Sequence, residues 1–307
     1  MKLHDTQITN YLTFCKSQKC LDVKTIRAYK IDLTHFASTM PAETSLYDIA
    51  SRQIESYIAH LHSIYKPKTA KRKIASLKAF FHYCEFYEFI ERNPFDKIQI
   101  RFREPVILPK TIPLQTLELF LSTIYNQRQL ATTSYQQKNA LRDAAIIELL
   151  FATGIRISEL CSLKSCDVNL NDNFVLIYGK GSKERKLQIG NDNVLKTLNE
   201  YKNTFSKEIE NCGHFFANQS GKHLSDQSVR RMIQKYASLA GIDQHITPHM
   251  FRHTFASSLL DADVDIRYIQ EMLGHSSITT TQIYTHVTLA KQKMILTTKH
   301  PRNGFCI

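Results

Sequence analysis

The stretch TPHMFRHTFASSLL (Thr247–Leu260), followed by LGHSSITTTQIYTHV (Leu273–Val287), sets how the chain is read. Pro248 suits the first turn of a helix, where its missing N–H would be unpaired in any case. His249 and Arg252 stand at i and i+3, so on that helix an imidazole and a guanidinium share a face. Gly274 then stops the pattern and His275 falls in the turn. Ser276 and Ser277 can cap a further helix that carries Tyr284. A fixed cation, two imidazoles and a phenol converging from short segments suit an anion. The plainer alternative makes His253 and Phe255 helix-face and core residues, and His286 a surface residue.

Upstream, LRDAAIIELLFATGIRISEL (Leu141–Leu160) predicts an apolar helix over Leu141–Ala152 that ends at Gly154. A second helix, capped by Ser158, is expected after it. Arg156 between Ile155 and Ile157 is oddly placed for a solvated arginine. The competing assignment ties it structurally to a helix C-terminus or to Glu159. FVLIYGKGSKERKLQIG (Phe174–Gly190) alternates and turns. It predicts a strand over Phe174–Tyr178, a turn at Gly179–Ser182 and a returning strand over Arg185–Ile189, with Lys180 at the tip. The G-K-G-S run lacks P-loop spacing and no helix follows at once, so nucleotide binding is rejected there. Ser225-Asp226 is expected to cap a helix over VRRMIQKYASLAG, another helix starts near Pro113, and the polar residues 126–140 are expected to form a surface loop.

The N-terminal third reads as helical throughout. Ile8, Leu12 and Cys15 fall on one face, as do Ile26, Tyr29, Leu33 and Phe36. Ile54, Tyr57, Ile58 and Leu61 keep the period, and so do Ile74, Leu77, Phe80, Phe81 and Cys84. Four or five helices in a compact bundle are expected. Within it, KPKTAKRKIASLKAFF (Lys66–Phe81) carries Lys68, Lys71, Arg72, Lys73 and Lys78 with no acid close by in the sequence. A basic helix face is often only solvated surface; here Lys68, Thr69, Lys71, Arg72 and Lys78 are candidates to contact phosphates, which give affinity without sequence information. Asn93-Pro94 ends the bundle, and the proline-rich RFREPVILPKTIPLQ (Arg101–Gln115) is the best boundary. The expected division is a helical bundle over 1–103, a linker over 104–113 and a second domain over 114–307.

The length of 307 residues is comfortable for two domains. Forty basic against twenty-eight acidic residues give a net charge of +12, which makes a polyanion the first partner to consider, nucleic acid before membrane. No run of apolar residues is long enough for a transmembrane helix, and the N-terminus MKLHDTQITNYL has no signal-peptide core. The seven cysteines are scattered without any C-x-x-C, which fits neither a zinc ribbon nor a disulfide framework. Reduced thiols in a cytoplasmic protein are the expectation.

The blocks ATGIRISEL (152–160), GKGSKER (179–185), TPHMFRHTFASSLL (247–260) and LGHSSITTTQIYTHV (273–287) resemble the tyrosine recombinases, the phage-integrase family, and its short Xer-like members in particular. They stand in the family's order and at fitting spacings, and the segments TIRAYKIDLTHF and TAKRKIASLKAFF look like its core-binding domain. Two small departures, the longer 126–140 stretch and Ile112-Pro113 before the first catalytic-domain helix, touch no site position. The resemblance implies a mainly α fold with a small β-sheet: a SAM-like helical bundle and a mixed α+β catalytic domain. It matches Arg156 to the first arginine, Lys180 to the hairpin lysine, His249 and Arg252 to the H-x-x-R pair, His275 to the fifth position and Tyr284 to the nucleophile. The implied activity is cleavage and rejoining of double-stranded DNA at a specific site through a 3′-phosphotyrosine, with no metal, no other cofactor and no ATP. The implied assembly is a homotetramer, or a heterotetramer with a paralogue, on two duplexes. The helix after Tyr284, within LAKQKMILTTKHP (Leu289–Pro301), would be exchanged between neighbours; a tail packed on its own domain is the competing arrangement. A type IB topoisomerase-like enzyme and a non-catalytic DNA-binding regulator remain open. A zinc hydrolase on His249, His253 and His275 is disfavoured, because H-x-x-R-H lacks the glutamate of H-E-x-x-H.

Overall fold

The computed structural model describes residues 3–41, 44–100, 110–179, 184–218, 220–274 and 289–305. The chain forms two compact units, Met1–Ile107 and Leu108–Ile307. In the first, helices α1 (Leu3–Ser17), α2 (Val23–Thr39), α3 (Ser51–Ile64) and α4 (Pro67–Phe86) pack as a bundle. Asp22 caps α2 by accepting the Lys24 N–H at 2.7 Å, and Pro67 occupies the first turn of α4. The core holds the apolar stripes expected from the sequence, among them Ile8, Leu33, Phe36, Ile54, Leu61, Leu77 and Phe81. It also takes in Phe95, with Ile98 and Ile100 packed against it, so packing continues beyond Asn93-Pro94.

One expectation about α4 fails. Lys73 is buried, and its ammonium lies 3.4 Å from the buried Asp32 carboxylate of α2 and over the Tyr65 ring. Arg72 pairs with the same carboxylate, and the Ser76 hydroxyl donates to it at 2.8 Å. Two of the five cations, Arg72 and Lys73, therefore do have an acid beside them. At 3.6 residues per turn, Lys73 is turned about 140° from Lys68 and joins the Ala70–Ile74–Leu77 stripe. Lys68, Lys71, Arg72 and Lys78 are exposed and Thr69 is half-buried.

The second unit is built on α6 (Ser134–Thr153), whose residues from Ala140 onward are all buried. α5 (Leu114–Gln129), α8 (Asp192–Thr204) and α11 (Pro248–Asp261) pack around it. The expected loop over 126–140 is mostly helix: α5 runs to Gln129, and α6 starts at Ser134 with Thr133 accepting the Gln136 N–H at 3.2 Å. Its polar composition reflects two helix ends standing clear of the core. α7 (Ile157–Ser162) follows Gly154, and β1 (Val168–Asn169), β2 (Phe174–Tyr178) and β3 (Glu184–Gln188) form an antiparallel sheet in that order. Its register pairs Phe174 with Gln188 and Tyr178 with Glu184. α9 (Ser206–Cys212), α10 (Asp226–Leu239) and α12 (Ile266–Leu273) complete the unit. Ser225 caps α10 as expected. No described helix is long and apolar enough to cross a membrane.

α13 (Leu289–Lys299) packs against β3 of its own unit. Ile295 and Leu296 enter the core, and a Cβ on Gly190 would come within 2.7 Å of the Thr297 backbone nitrogen. Beyond it, the fully buried Arg302 forks onto the equally buried Glu148 of α6, its Nε and Nη2 both within 3.1 Å of the carboxylate. The Tyr125 hydroxyl donates to the same carboxylate at 2.7 Å. His300 Nε2 meets the Phe151 carbonyl at 2.9 Å, and its Nδ1 accepts the Arg302 N–H.

Candidate active site

Three of the six expected catalytic residues lie among the described residues, on two elements: Arg156 at the start of α7, and His249 and Arg252 on α11. α6 ends at Gly154, whose φ of +63° is the left-handed conformation that lets the chain reverse. A Cβ there would meet Phe255 Cδ1 at 2.6 Å, so the turn also needs the missing side chain to pack against α11. Two residues on, Arg156 occupies the N-cap of α7. Glu159, not Ser158, caps this helix: its carboxylate accepts the Arg156 backbone N–H and the Arg156 Nη1, both at 2.8 Å. Glu159 is at the third helical position, the place from which a long carboxylate reaches back to a free N–H. Arg156 is thus tied to Glu159, as the structural alternative held, yet a third of its side chain stays accessible.

Arg252 is buried and joins three segments. Its Nη1 donates to the Gly154 carbonyl at 2.9 Å and its Nη2 to the Leu273 carbonyl at 2.6 Å. These are carbonyls at the ends of α6 and α12 that have no partner inside their helices. Burial, then the positive charge of Arg156, lowers its pKa to about 10, which leaves it a cation at neutral pH. His249 sits one turn earlier and is exposed. Partial desolvation comes first in lowering its pKa, followed by the charges of Arg230, His253, Arg252 and Arg156. The ring is therefore neutral at pH 7 and able to accept a proton. His253, half-buried, is held below its ordinary pKa by burial and by Arg252. The arrangement is a desolvated cation and a half-exposed one beside a neutral imidazole.

Lys180, His275 and Tyr284 lie outside the described residues, as do Ser276, Ser277 and His286. The flanking elements are in place: β2 and β3 on either side of Lys180, and α12, closed by Gly274 at φ +63°, just before His275. Sequence reasoning gave no role to Arg185. Its Nη1 and Nη2 fork onto Glu159 at 3.1 and 2.7 Å, and its Nε donates to the Met272 carbonyl at 2.9 Å. Burial alone would raise the Glu159 pKa, but the Arg185 fork, the Arg156 N–H and the Arg156 guanidinium hold it below the ordinary value. The sequence signal was present: Glu159 stands three after Arg156, at capping-box spacing. Among the described residues no group of three His, Cys, Asp or Glu side chains is placed to hold a metal. A cavity of about 580 Å³ lined by Tyr125, Arg128, Lys138 and Glu200 shares no residue with this cluster.

The phage integrase family profile matches residues 124–291, more than half of the chain, and the profile of the phage integrase N-terminal SAM-like domain matches residues 8–85. The chain belongs to the phage integrase family. A tyrosine recombinase of Agathobacter rectalis is 67% identical over 303 residues, covering 98% of each chain. Tyrosine recombinase XerD of Listeria innocua is 35% identical over 302 residues, covering 96% of this chain and 98% of its own. The fold is that of lambda integrase: a lambda integrase dimer bound to a COC′ core site superposes with a TM-score of 0.68 at 19% identity, over 90% of this chain and 93% of that one. In this integrase-family chain, the mainly helical architecture with a small sheet places Arg156, His249 and Arg252 around one turn.

Proposed function

We propose that this chain is a site-specific tyrosine recombinase that cleaves and rejoins double-stranded DNA through a covalent phosphotyrosine. The observation that carries the mechanism is the bond from Arg252 to the Gly154 carbonyl, which holds two arginines and a neutral imidazole around one turn. Tyr284 attacks the scissile phosphorus; the new bond joins its phenol oxygen to phosphorus and the bond to the 5′-oxygen breaks. Its phenol, with an ordinary pKa of about 10, gives its proton to His249. Arg156 and Arg252 neutralise the charge that builds on the nonbridging oxygens, each such donor contributing roughly 3–4 kcal/mol. Lys180 protonates the departing 5′-oxygen, and His275 hydrogen-bonds a nonbridging oxygen or positions the tyrosine. The phosphotyrosine conserves the bond energy, so a 5′-hydroxyl of a second duplex reverses the step without ATP. No metal is needed, because the fixed cations supply the charge.

Lys68, Thr69, Lys71, Arg72 and Lys78 of α4 are proposed to contact the DNA backbone within a DNA-binding domain over 1–103, joined by 104–113 to the catalytic domain over 114–307. Four protomers on two duplexes, identical or shared with a paralogue, are the proposed assembly, in the cytoplasm. The test uses a supercoiled plasmid carrying the DNA that flanks the gene. Wild type is expected to give covalent protein–DNA adducts and recombinant products, and Tyr284→Phe neither. No adduct from wild type sinks the enzyme assignment and leaves a DNA-binding regulator. Relaxation of any plasmid without recombinants favours a topoisomerase-like enzyme.

A further inference from the structure

The GKGSKER block ends in Arg185, and the mechanism above gives that residue no task. We infer that Arg185 is a positioning residue for strand cleavage, the tie that holds β3, Arg156 at the start of α7 and the end of α12 in one arrangement. Three bonds on one planar group carry this. Its two terminal nitrogens take both oxygens of Glu159, and its Nε takes the Met272 carbonyl. Glu159 in turn accepts the backbone and the guanidinium of Arg156. One side chain on β3 thereby fixes the start of α7 and the end of α12, elements far apart in sequence. Gly274 lies flat against it, since a Cβ there would come 3.0 Å from Arg185 Nη1.

The geometry explains why the tie matters to chemistry. Arg185 occupies both carboxylate oxygens, so Arg156 reaches Glu159 through Nη1 alone and makes no other hydrogen bond from its guanidinium to a described residue. Without that competition, the carboxylate would draw Arg156 into a two-point fork of its own and turn its free edge away from a phosphate. A lysine at 185 keeps the charge but cannot span two carboxylate oxygens and a carbonyl at once.

This inference rests on the reading of Arg156 as a phosphate-binding residue. The test compares wild type, Arg185→Lys, Glu159→Gln and the double variant in single-turnover cleavage of a nicked suicide duplex, with Tyr284→Phe as the blank. DNA affinity by anisotropy and thermal melting are measured on the same preparations. Expected is a roughly 10–100-fold slower cleavage in Arg185→Lys, as for other misplaced catalytic groups. DNA affinity is expected to stay within about threefold, because the loss belongs to the transition state. The double variant is expected to be no slower than the slower single variant, since both act through one pair. Cleavage within about twofold of wild type, additive losses, or affinity and melting falling in step with the rate each overturn the inference and assign Arg185 to packing alone. Failure of wild type to form any adduct is a different result: it removes the proposed function, and this inference with it.

Discussion

Arg252 works as both a strut and a charge. Its bonds to Gly154 and Leu273 use one N–H on each terminal nitrogen, so each keeps a second N–H for an anion. The strut depends on Gly154, where a side chain would be strained by φ +63° and would collide with Phe255. Gly154→Ala is expected to cost roughly 2–4 kcal/mol from the left-handed backbone and overpacking together. In a unit of this size that lowers the melting temperature by roughly 5–15 °C, measurable by calorimetry. An unchanged melting point would mean the turn has another conformation. At this scale the sequence was most legible where a motif is local. Pro248, His249, Arg252 and the glycine stop all follow from spacing along one helix and one turn. Ser158 does not cap α7: the helix already begins at Ile157, so Ser158 lies inside its first turn, and the capping oxygen comes from Glu159 reaching back three residues to the Arg156 N–H.

At the scale of elements, α13 and the turn after it decide the most. His300 is wholly buried and neutral, and its pKa is held at about 4 by desolvation. Its unfolded value is near 6.5, so between those two values the unfolded chain binds more protons. Stability from this group is complete above about pH 6.5 and is lost as pH falls toward 4, by about 3 kcal/mol in all. His249 and His253 shift in the same direction and add to the slope. Urea titrations from pH 7 to 4.5 are expected to show falling stability that His300→Gln flattens; an equal slope in the variant would refute the assignment. Helix α4 teaches the complementary lesson. Its basic face was plain in the sequence, but Lys73 lies in the apolar stripe and faces Asp32, a partner supplied by another helix.

For the whole molecule, two separate cores explain why the proline-rich stretch reads as a boundary. The tail changes what truncation is expected to do. Were the helix only exchanged between neighbours, ending the chain after Val287 would cost contacts between protomers alone. In this chain it would also strip Ile295, Leu296 and Phe305 from the core and leave Glu148 buried without Arg302. An uncompensated buried charge costs roughly 3–5 kcal/mol. The truncated protein is therefore expected to melt far below wild type and to lose cleavage through instability, as thermal melting and limited proteolysis would register. A truncation with wild-type melting would show that the tail's contacts are dispensable.

What the sequence determined by itself was the part set by short range: helical periods, the glycine turns, the β-hairpin and the order of the site motifs. Those depend on spacing within a few residues, which a linear chain displays directly. Tertiary structure alone decided which oxygens the charged groups meet. Arg252 bonds to carbonyls distant in sequence, Arg185 and Arg156 share Glu159, Lys73 turns inward to Asp32, and Arg302 crosses the chain to Glu148. A buried charge must find its partner wherever packing brings one within reach, and no local pattern records where that is.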